Sequence, residues 1–471
     1  MRGRTTLILL GILALLATYV YLVEIKGKSR KEKTEEKAKK LLVFDSKDIQ
    51  KVTVKRASDP FSCEKNGEDD WRLLSPVEDR ADKSMLSALV TGLTDLKADR
   101  EDVDVNSFSD FGLDPPLFTV VVGSTNGKND TLFLGEKNPT GTYVYARKPR
   151  EKRLILTNSS VETHLTKPLF DLRDKSVLAF EKETVEGIRV ESQGKSIALA
   201  KTGNVWNLTD PVKTRADENT VDSFLNQFRW AQAKEYVDEK PKSLAPYGLS
   251  RPGMMLTLTL GVNKSQNILW IGDPKGKDRY YAKDAGRLSV FLVDTALVRE
   301  FKKTVSDFRD KKIVRFETDS IKSIAVEYPD RPSLICRKDT AEHWLVESPK
   351  KARAIDFKIN TILYDVRDMQ ARDFLGEMPS GLGAYGLDKP KVKALFKNKA
   401  GAVVVELLVG REAGKSLAYV MNAKTKSVFK VDDAFVKNIK PNIDDIVEKE
   451  EVKEQAPKSA EVKNPPKKSN K

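Results

Sequence analysis

The chain has 471 residues, of which 39% are hydrophobic and 32% charged; at about 150 residues per domain that is room for roughly three domains, with enough apolar material for globular cores and far too little for a polytopic membrane protein. Lys plus Arg exceed Asp plus Glu by 14, but the two signs are interspersed, which excludes a histone-like polycation. With two Cys and two His, a Cys/His zinc site would need all four together, and a disulfide framework would need more thiols.

In chain order, the first feature is an uncharged apolar run over 5–23, closing with Tyr19 and Tyr21. At 1.5 Å per residue it reaches about 28 Å, close to the hydrocarbon thickness of a bilayer, and tyrosines favour the interface. The run exceeds a usual signal-peptide core, and Leu15 and Leu16 separate Ala14 from Ala17 where a small-x-small cleavage site would stand. Residues 1–24 therefore read as an uncleaved single-pass transmembrane helix. Two orientation signals disagree. Lys26, Lys28, Arg30, Lys31 and Lys33 outnumber Arg2 and Arg4, which places the bulk of the chain in the cytoplasm by the positive-inside rule. A basic stub before an apolar run is also how an export signal is built, and export is the orientation taken here: bacterial inner membrane, bulk periplasmic. Residues 25–40 form a charged tether, and 447–471, with Pro457, Pro465 and Pro466 among Lys and Glu, a disordered charged tail.

Between them the sequence repeats itself. Phe44-Asp45 followed by Ile49, Val52 and Val54 returns as Phe180-Glu181 with Val185, Ile188 and Val190, and again as Phe316-Glu317 with Ile321, Ile324 and Val326. The two spacings are both 136 residues. Other landmarks keep step: Trp71, Trp206 and Trp344, ending at Pro76, Pro211 and Pro349; Phe111-Gly112-Leu113, Tyr247-Gly248-Leu249 and Tyr385-Gly386-Leu387; Leu134-Gly135, Ile271-Gly272 and Val409-Gly410. Arg173-Asp174-Lys175 and Arg309-Asp310-Lys311 mark the joins. Such periodicity means a copied structural unit. The units are 41–171, 172–307 and 308–446.

Each unit reads as α+β. A strand follows Phe44 and a loop leads to a strand at Trp71. A helix spans 82–98, with Met85, Leu86, Leu89, Val90, Leu93 and Leu96 on one face. Strands over 117–122, 131–134, 143–147 and 154–157 and a short helical stretch over 161–172 complete it. The expected fold is three tandem α+β units with mainly antiparallel sheets, each packing one face on its helix. The turn glycine of Phe/Tyr-Gly-Leu is expected at φ > 0, and the tryptophans are expected to anchor cores rather than line a groove.

Tandem units with these landmarks after one N-terminal span resemble the bacterial family known as domain of unknown function 4340, over about residues 41–446. The resemblance carries no catalytic residues. It implies envelope proteins, often encoded beside ABC-type transport systems of the gliding-motility kind.

Motifs that suggest chemistry fail on context. Gly381-Leu382-Gly383-Ala384-Tyr385-Gly386 matches G-x-G-x-x-G, but a dinucleotide site needs a strand before it and a helix after, and Asp388-Lys389-Pro390 follows. Gly410-Arg411-Glu412-Ala413-Gly414-Lys415-Ser416 has three residues between its glycines where a P-loop has four; it reads as a hairpin turn. His164 and His343, and Cys63 and Cys336, fall at unmatched places, the thiols free. Glu68-Asp69-Asp70 and Asp444-Asp445 lack the alternating spacing of a calcium loop. No catalytic, cofactor-binding or metal residue is assigned, no cofactor is implied, and nucleic acid is not an expected partner. The expectation is a non-enzymatic, membrane-anchored envelope protein, an accessory or scaffold beside an ABC-type transporter that acts by protein–protein contact. The alternatives are a binding module for an anionic cell-wall polymer or lipid, and a hydrolase using carboxylates that the sequence does not reveal.

Overall fold

The structure, a computed structural model, describes residues 39–448 apart from 68–69, 103–104, 106 and 378–380. The apolar run over 5–23, most of the tether and the tail beyond 448 lie outside the described residues. Among the described residues no helix is long and apolar enough to cross a membrane.

Alternation of apolar and polar side chains dictates strands, and the first copy shows how many. Its strands are β1 (Ile49–Lys55), β2 (Phe61–Lys65), β3 (Trp71–Ser75), β4 (Asp79–Arg80), β5 (Arg100–Asp102), β6 (Phe118–Ser124), β7 (Asn129–Lys137), β8 (Tyr143–Arg147) and β9 (Leu154–Asn158). They make one nine-stranded sheet in the order β4-β3-β2-β1-β6-β7-β8-β9-β5. The pairings are antiparallel. In β1, Val52 and Val54 are buried while Lys51 and Lys55 face out, so one face is core and the other wet.

Helix α1 (Lys83–Thr94) begins where Asp82 accepts the Met85 N–H at 2.9 Å, an N-cap. It buries Leu86, Leu89, Val90 and Leu93 against β-strand residues such as Val52, Phe61, Trp71 and Val120. Truncating one of these leucines to alanine would cost about 2–5 kcal/mol. The chain thus leaves the sheet at the β4 edge, runs through α1 to the opposite edge at β5, and re-enters at the centre as β6.

The second copy repeats this with β10 (Val185–Ser192), β11 (Lys195–Thr202), β12 (Val205–Asp210), β13 (Thr214–Arg215), helix α2 (Glu218–Arg229), β14 (Glu235–Asp238), β15 (Met254–Leu260), β16 (Ser265–Lys275), β17 (Arg279–Asp284) and β18 (Val290–Asp294). The third has β19 (Ile321–Glu327), β20 (Leu334–Lys338), β21 (Trp344–Ser348), β22 (Ala352–Arg353), helix α3 (Asp356–Asp368), β23 (Asp373–Glu377), β24 (Val392–Asn398), β25 (Val403–Glu412), β26 (Leu417–Asn422) and β27 (Ser427–Asp432). The strand order is the same in all three sheets.

The expected α+β class gives way to a mostly-β one: three antiparallel sheets with one helix of 12 or 13 residues in each copy. The difference lies in strands too short or too charged to be legible. β2 falls in a stretch read as loop, yet Phe61 and Cys63 point into the core between the outward Ser62 and Glu64. β5, of sequence Arg-Glu-Asp, carries no apolar signal; its pairing to β9 at an edge defines it.

The third copy continues past the expected boundary at 446. Val447 is buried and bridges to Ala354, as Arg173 bridges to Ala81 and Arg309 to Ala216. Val447 and Glu448 therefore belong to the third copy, in the place that Arg173 and Asp174 take beside β4. By compactness, 39–213 with 219–303 form one unit and 214–218 with 304–448 another.

Candidate functional site

The residues that repeat are those that hold the shape. Trp71, Trp206 and Trp344 are buried, and Trp344 Nε1 donates to Asn360 Oδ1 at 3.0 Å. The peptide bonds before Pro76, Pro211 and Pro349 are cis. Gly112, Gly248 and Gly386 stand at φ of 64°, 66° and 66°, the left-handed region open to glycine. Gly135, Gly272 and Gly410 answer a different need: a Cβ there would sit 2.1 Å from the carbonyl oxygen of Phe111, Tyr247 or Tyr385. The two glycine landmarks are one device, a turn laid backbone-to-backbone on the strand beside it.

The suggestive motifs resolve the same way. Residues 382–385 form a 3-10 turn between left-handed Gly381 and Gly386, and the next element is β24; no helix N-terminus is present to receive a pyrophosphate. Gly410 to Ser416 joins β25 to β26 as a hairpin. Glu68 and Asp69 lie outside the described residues, Asp444 pairs with Lys350 at 3.0 Å, and no cluster of potential metal ligands occurs among the described residues.

Cys63 and Cys336, taken as unmatched, are in fact equivalent. Cys63 stands opposite Val52, Leu199 opposite Ile188 and Cys336 opposite Ile324. A one-residue insertion before β20 hides this in the sequence. Burial pushes both thiols up to about 12, so they are packing groups rather than nucleophiles.

His343 does meet a carboxylate: its Nδ1 lies 2.7 Å from Asp356 Oδ2. Asp356 Oδ1 also accepts the Trp344 N–H at 2.7 Å. Burial raises the Asp356 carboxyl, but these bonds outweigh it and hold it below the usual range. Among the described residues no hydroxyl or thiol hydrogen-bonds His343, so the pair fastens α3 to β21 rather than forming a triad. His164 packs its ring near Gly92 on α1.

A convergence of buried charge among the described residues was missed in the sequence. It lies at the first join, in the first compact unit. Asp79, on β4, receives Arg173 through Nε at 3.0 Å and Nη2 at 2.5 Å, and Arg287 through Nε and Nη2 at 3.0 Å each. All three side chains are more than nine-tenths buried. Arg173 also reaches Glu239 at 2.5 Å, and its guanidinium carbon lies 3.3 Å from the centre of the Tyr236 ring. Arg287 donates to the carbonyls of Ser176 and Asp174 and to the Tyr236 hydroxyl. Around this core, Arg80 bridges Asp174 and Asp284 at 3.3 Å each, and Lys283 donates to the carbonyls of Asp284 and Arg287.

Charge balance holds it together: Arg80, Arg173, Lys283 and Arg287 face Asp79, Asp174, Glu239 and Asp284. Burial alone would raise Asp79, but the hydrogen bonds and charges of Arg287 and Arg173 outweigh it and depress its carboxyl. Burial raises the Tyr236 phenol and lowers Lys283. At the centre of the cluster the Asp79 carboxylate is taken up by the two guanidiniums, which are themselves committed to Glu239 and to backbone carbonyls. The cluster is a fastening between the first two copies.

The corresponding place in the second compact unit is built differently. Thr214 stands where Asp79 does, Thr425 for Arg287, Phe374 for Tyr236 and Asn422 for Asp284; strand register fixes the last two, since Tyr236 pairs Phe291 as Phe374 pairs Phe429, and Leu269 pairs Asp284 as Leu407 pairs Asn422. Arg309 keeps the place of Arg173, its guanidinium carbon 4.0 Å from the Phe374 ring centre. A recess of about 440 Å³ opens here.

Comparison with known proteins places the chain. The family described as Domain of unknown function (DUF4340) matches over 71–237, 206–344 and 344–469, each match opening at one of the repeated tryptophans. The chain belongs to this family. No curated protein matches it. Among solved structures, the crystal structure of TolB from Acinetobacter baumannii aligns over 81% of this chain and 79% of that one, at 9% identity and a TM-score of 0.07.

Proposed function

We propose that the chain is a non-enzymatic, membrane-anchored protein of the bacterial envelope, a scaffold or accessory component beside an ABC-type transport system of the gliding-motility kind. One observation carries the reading. Every landmark that the copies share is spent on shape: tryptophan in the core, glycine in a turn, glycine under a carbonyl, join beside β4. A module copied for its chemistry would repeat a polar constellation, and the buried cluster at Asp79 is not repeated at Thr214. What three such sheets offer is extended, varied outer surface for other proteins. The apolar run over 5–23 supplies the anchor, with the sheets on the periplasmic side.

The test is affinity purification of the tagged full-length chain from gently solubilised native membranes. Transporter subunits should be recovered reproducibly, and protease should reach the sheets in spheroplasts. Recovery of the chain alone, or protection of the sheets until the membrane is broken, would overturn the proposal.

A further inference from the structure

The three helices bury equivalent faces but differ on the side turned away from the sheet. Leu86, Val221 and Ile359 open the buried faces of α1, α2 and α3. Counted from them, two outward positions hold Ser84 and Thr91 in the first copy and Asn219 and Asn226 in the second. In the third they hold Phe357 and Tyr364, which are 64% and 44% exposed. Seven residues is close to two turns, so both rings stand on one stripe, about 10.5 Å apart along the axis. The stripe lies opposite the buried Ile359, Ile362 and Val366, with exposed Thr361 between the rings. Two copies fold alike without it, so the fold does not require it. Charges flank the stripe. Lys358 and Asp365 share one side. Lys358 Nζ is 5.3 Å from the Phe357 ring centre and has no ion-pair partner among the described residues; Asp365 accepts the Asn438 amide at 2.8 Å. Asp356 and Arg367 share the other side, already held by His343 and Asp368.

We propose that this face binds a second copy of the chain, two α3 helices packing antiparallel about a two-fold axis between residues 360 and 361. The surface is self-complementary in that arrangement, as a two-fold contact must be. Phe357 faces Tyr364 of the second copy and Tyr364 faces its Phe357, two aromatic contacts of the kind that stabilise beyond their buried area. A two-fold of this kind brings like flanks together, so Lys358 meets Asp365 of the second copy, twice, and Arg367 comes opposite Asp356. No like charges oppose, and the helix dipoles run head to tail. A parallel pair would instead set Lys358 against Asp356, which His343 and the Trp344 N–H already engage. One helix pair buries less than the roughly 1,200 Å² of a stable specific interface, so the contact is weak and reversible. It is independent of the envelope role proposed above.

The experiment is disulfide trapping in the full-length chain, whose native Cys63 and Cys336 are buried. Thr361→Cys, beside the two-fold, should cross-link to a dimer under mild oxidation at least about 10-fold faster than Lys399→Cys in the exposed β24–β25 turn. Adding Phe357→Ser and Tyr364→Thr, the residues of the first copy, should slow trapping at least about 10-fold. Lys358→Glu should slow it about 3-fold. Lys358→Glu with Asp365→Lys should restore it, because that exchange rebuilds the pair only between copies in antiparallel order. Trapping no faster than at Lys399→Cys would overturn the proposal. So would a rate indifferent to the aromatic changes, or a charge exchange that leaves Lys358→Glu uncorrected. Cross-linking of Thr361→Cys to a different protein in place of the second copy would overturn it as well. A Thr361→Cys thiol that a maleimide cannot reach in the dilute chain would do the same, since another part of that chain would then cover α3.

Discussion

Replacing Asp79 by alanine tests whether the buried cluster fastens the first two copies. The change removes four charge-assisted hydrogen bonds and leaves Arg173 and Arg287, which are 2% and 5% exposed, without the carboxylate they share. Arg173 retains Glu239 at a half-open edge, and Arg287 retains two carbonyls. Breaking a buried pair in this way costs about 3–5 kcal/mol, a large share of the roughly 5–15 kcal/mol that a domain possesses. With a urea dependence of about 3 kcal/mol/M, the midpoint of the first unit should fall by roughly 1–2 M. The assay is urea unfolding followed by a double-mutant cycle with Arg287→Ala. The double variant should be less destabilised than the sum of the singles by about 1–3 kcal/mol, since removing both partners leaves less charge stranded. A loss below about 1 kcal/mol for Asp79→Ala, or additive singles, would refute the assignment.

Three further outcomes follow from the same structure. Because the folded Asp79 carboxyl lies below its usual value, its contribution is fully present above the unfolded pKa of about 3.9 and disappears as pH falls through the folded one; acid titration of stability should show a loss below about pH 4 that Asp79→Asn lacks. Gly272→Ala drives a Cβ to 2.1 Å from the Tyr247 carbonyl oxygen and should destabilise by more than about 2 kcal/mol, whereas Gly127→Ala, at φ of 74° in open space, should cost about 1 kcal/mol; thermal unfolding separates them, and equal losses would contradict the close approach. The Cys63 and Cys336 thiols, raised to about 12, hold about 10⁴-fold less thiolate than thiol at pH 8, so a disulfide reagent should modify neither in the native chain and both in urea; fast native labelling would show a mobile core.

The threefold repeat was legible because its landmarks are large or special residues at nearly constant spacing: tryptophan, paired glycines, proline. The face of α1 was legible as well, and Leu86, Leu89, Val90 and Leu93 are buried as its 3.6-residue period requires. The three antiparallel sheets were legible, but their share of each unit was under-read because β4 and β22 are two residues long and β5 is wholly charged; edge strands take their identity from a partner across the sheet, which one sequence does not display. The equivalence of Cys63 and Cys336 was lost to a single insertion, and the strand register restores it. The charged cluster escaped because its members are up to 208 residues apart and only Arg173 and Asp174 belong to a repeated landmark. A signal did exist: in the aligned stretches Glu78-Asp79-Arg80-Ala81 and Lys213-Thr214-Arg215-Ala216, the one acid that must be buried differs between copies.

The account rests on the idea that shared residues set the shape and that differing residues at the joins set behaviour. Amide hydrogen exchange at Asp174 and Asp310 tests it most directly, since both N–H groups make the same 3.0 Å bond. Asp174, behind the ion cluster, should exchange at least about 100-fold more slowly than Asp310, and the paired change Thr214→Asp with Thr425→Arg should slow Asp310 toward it. Equal protection in the unaltered chain, or an Asp310 rate that ignores the paired change, would contradict the account.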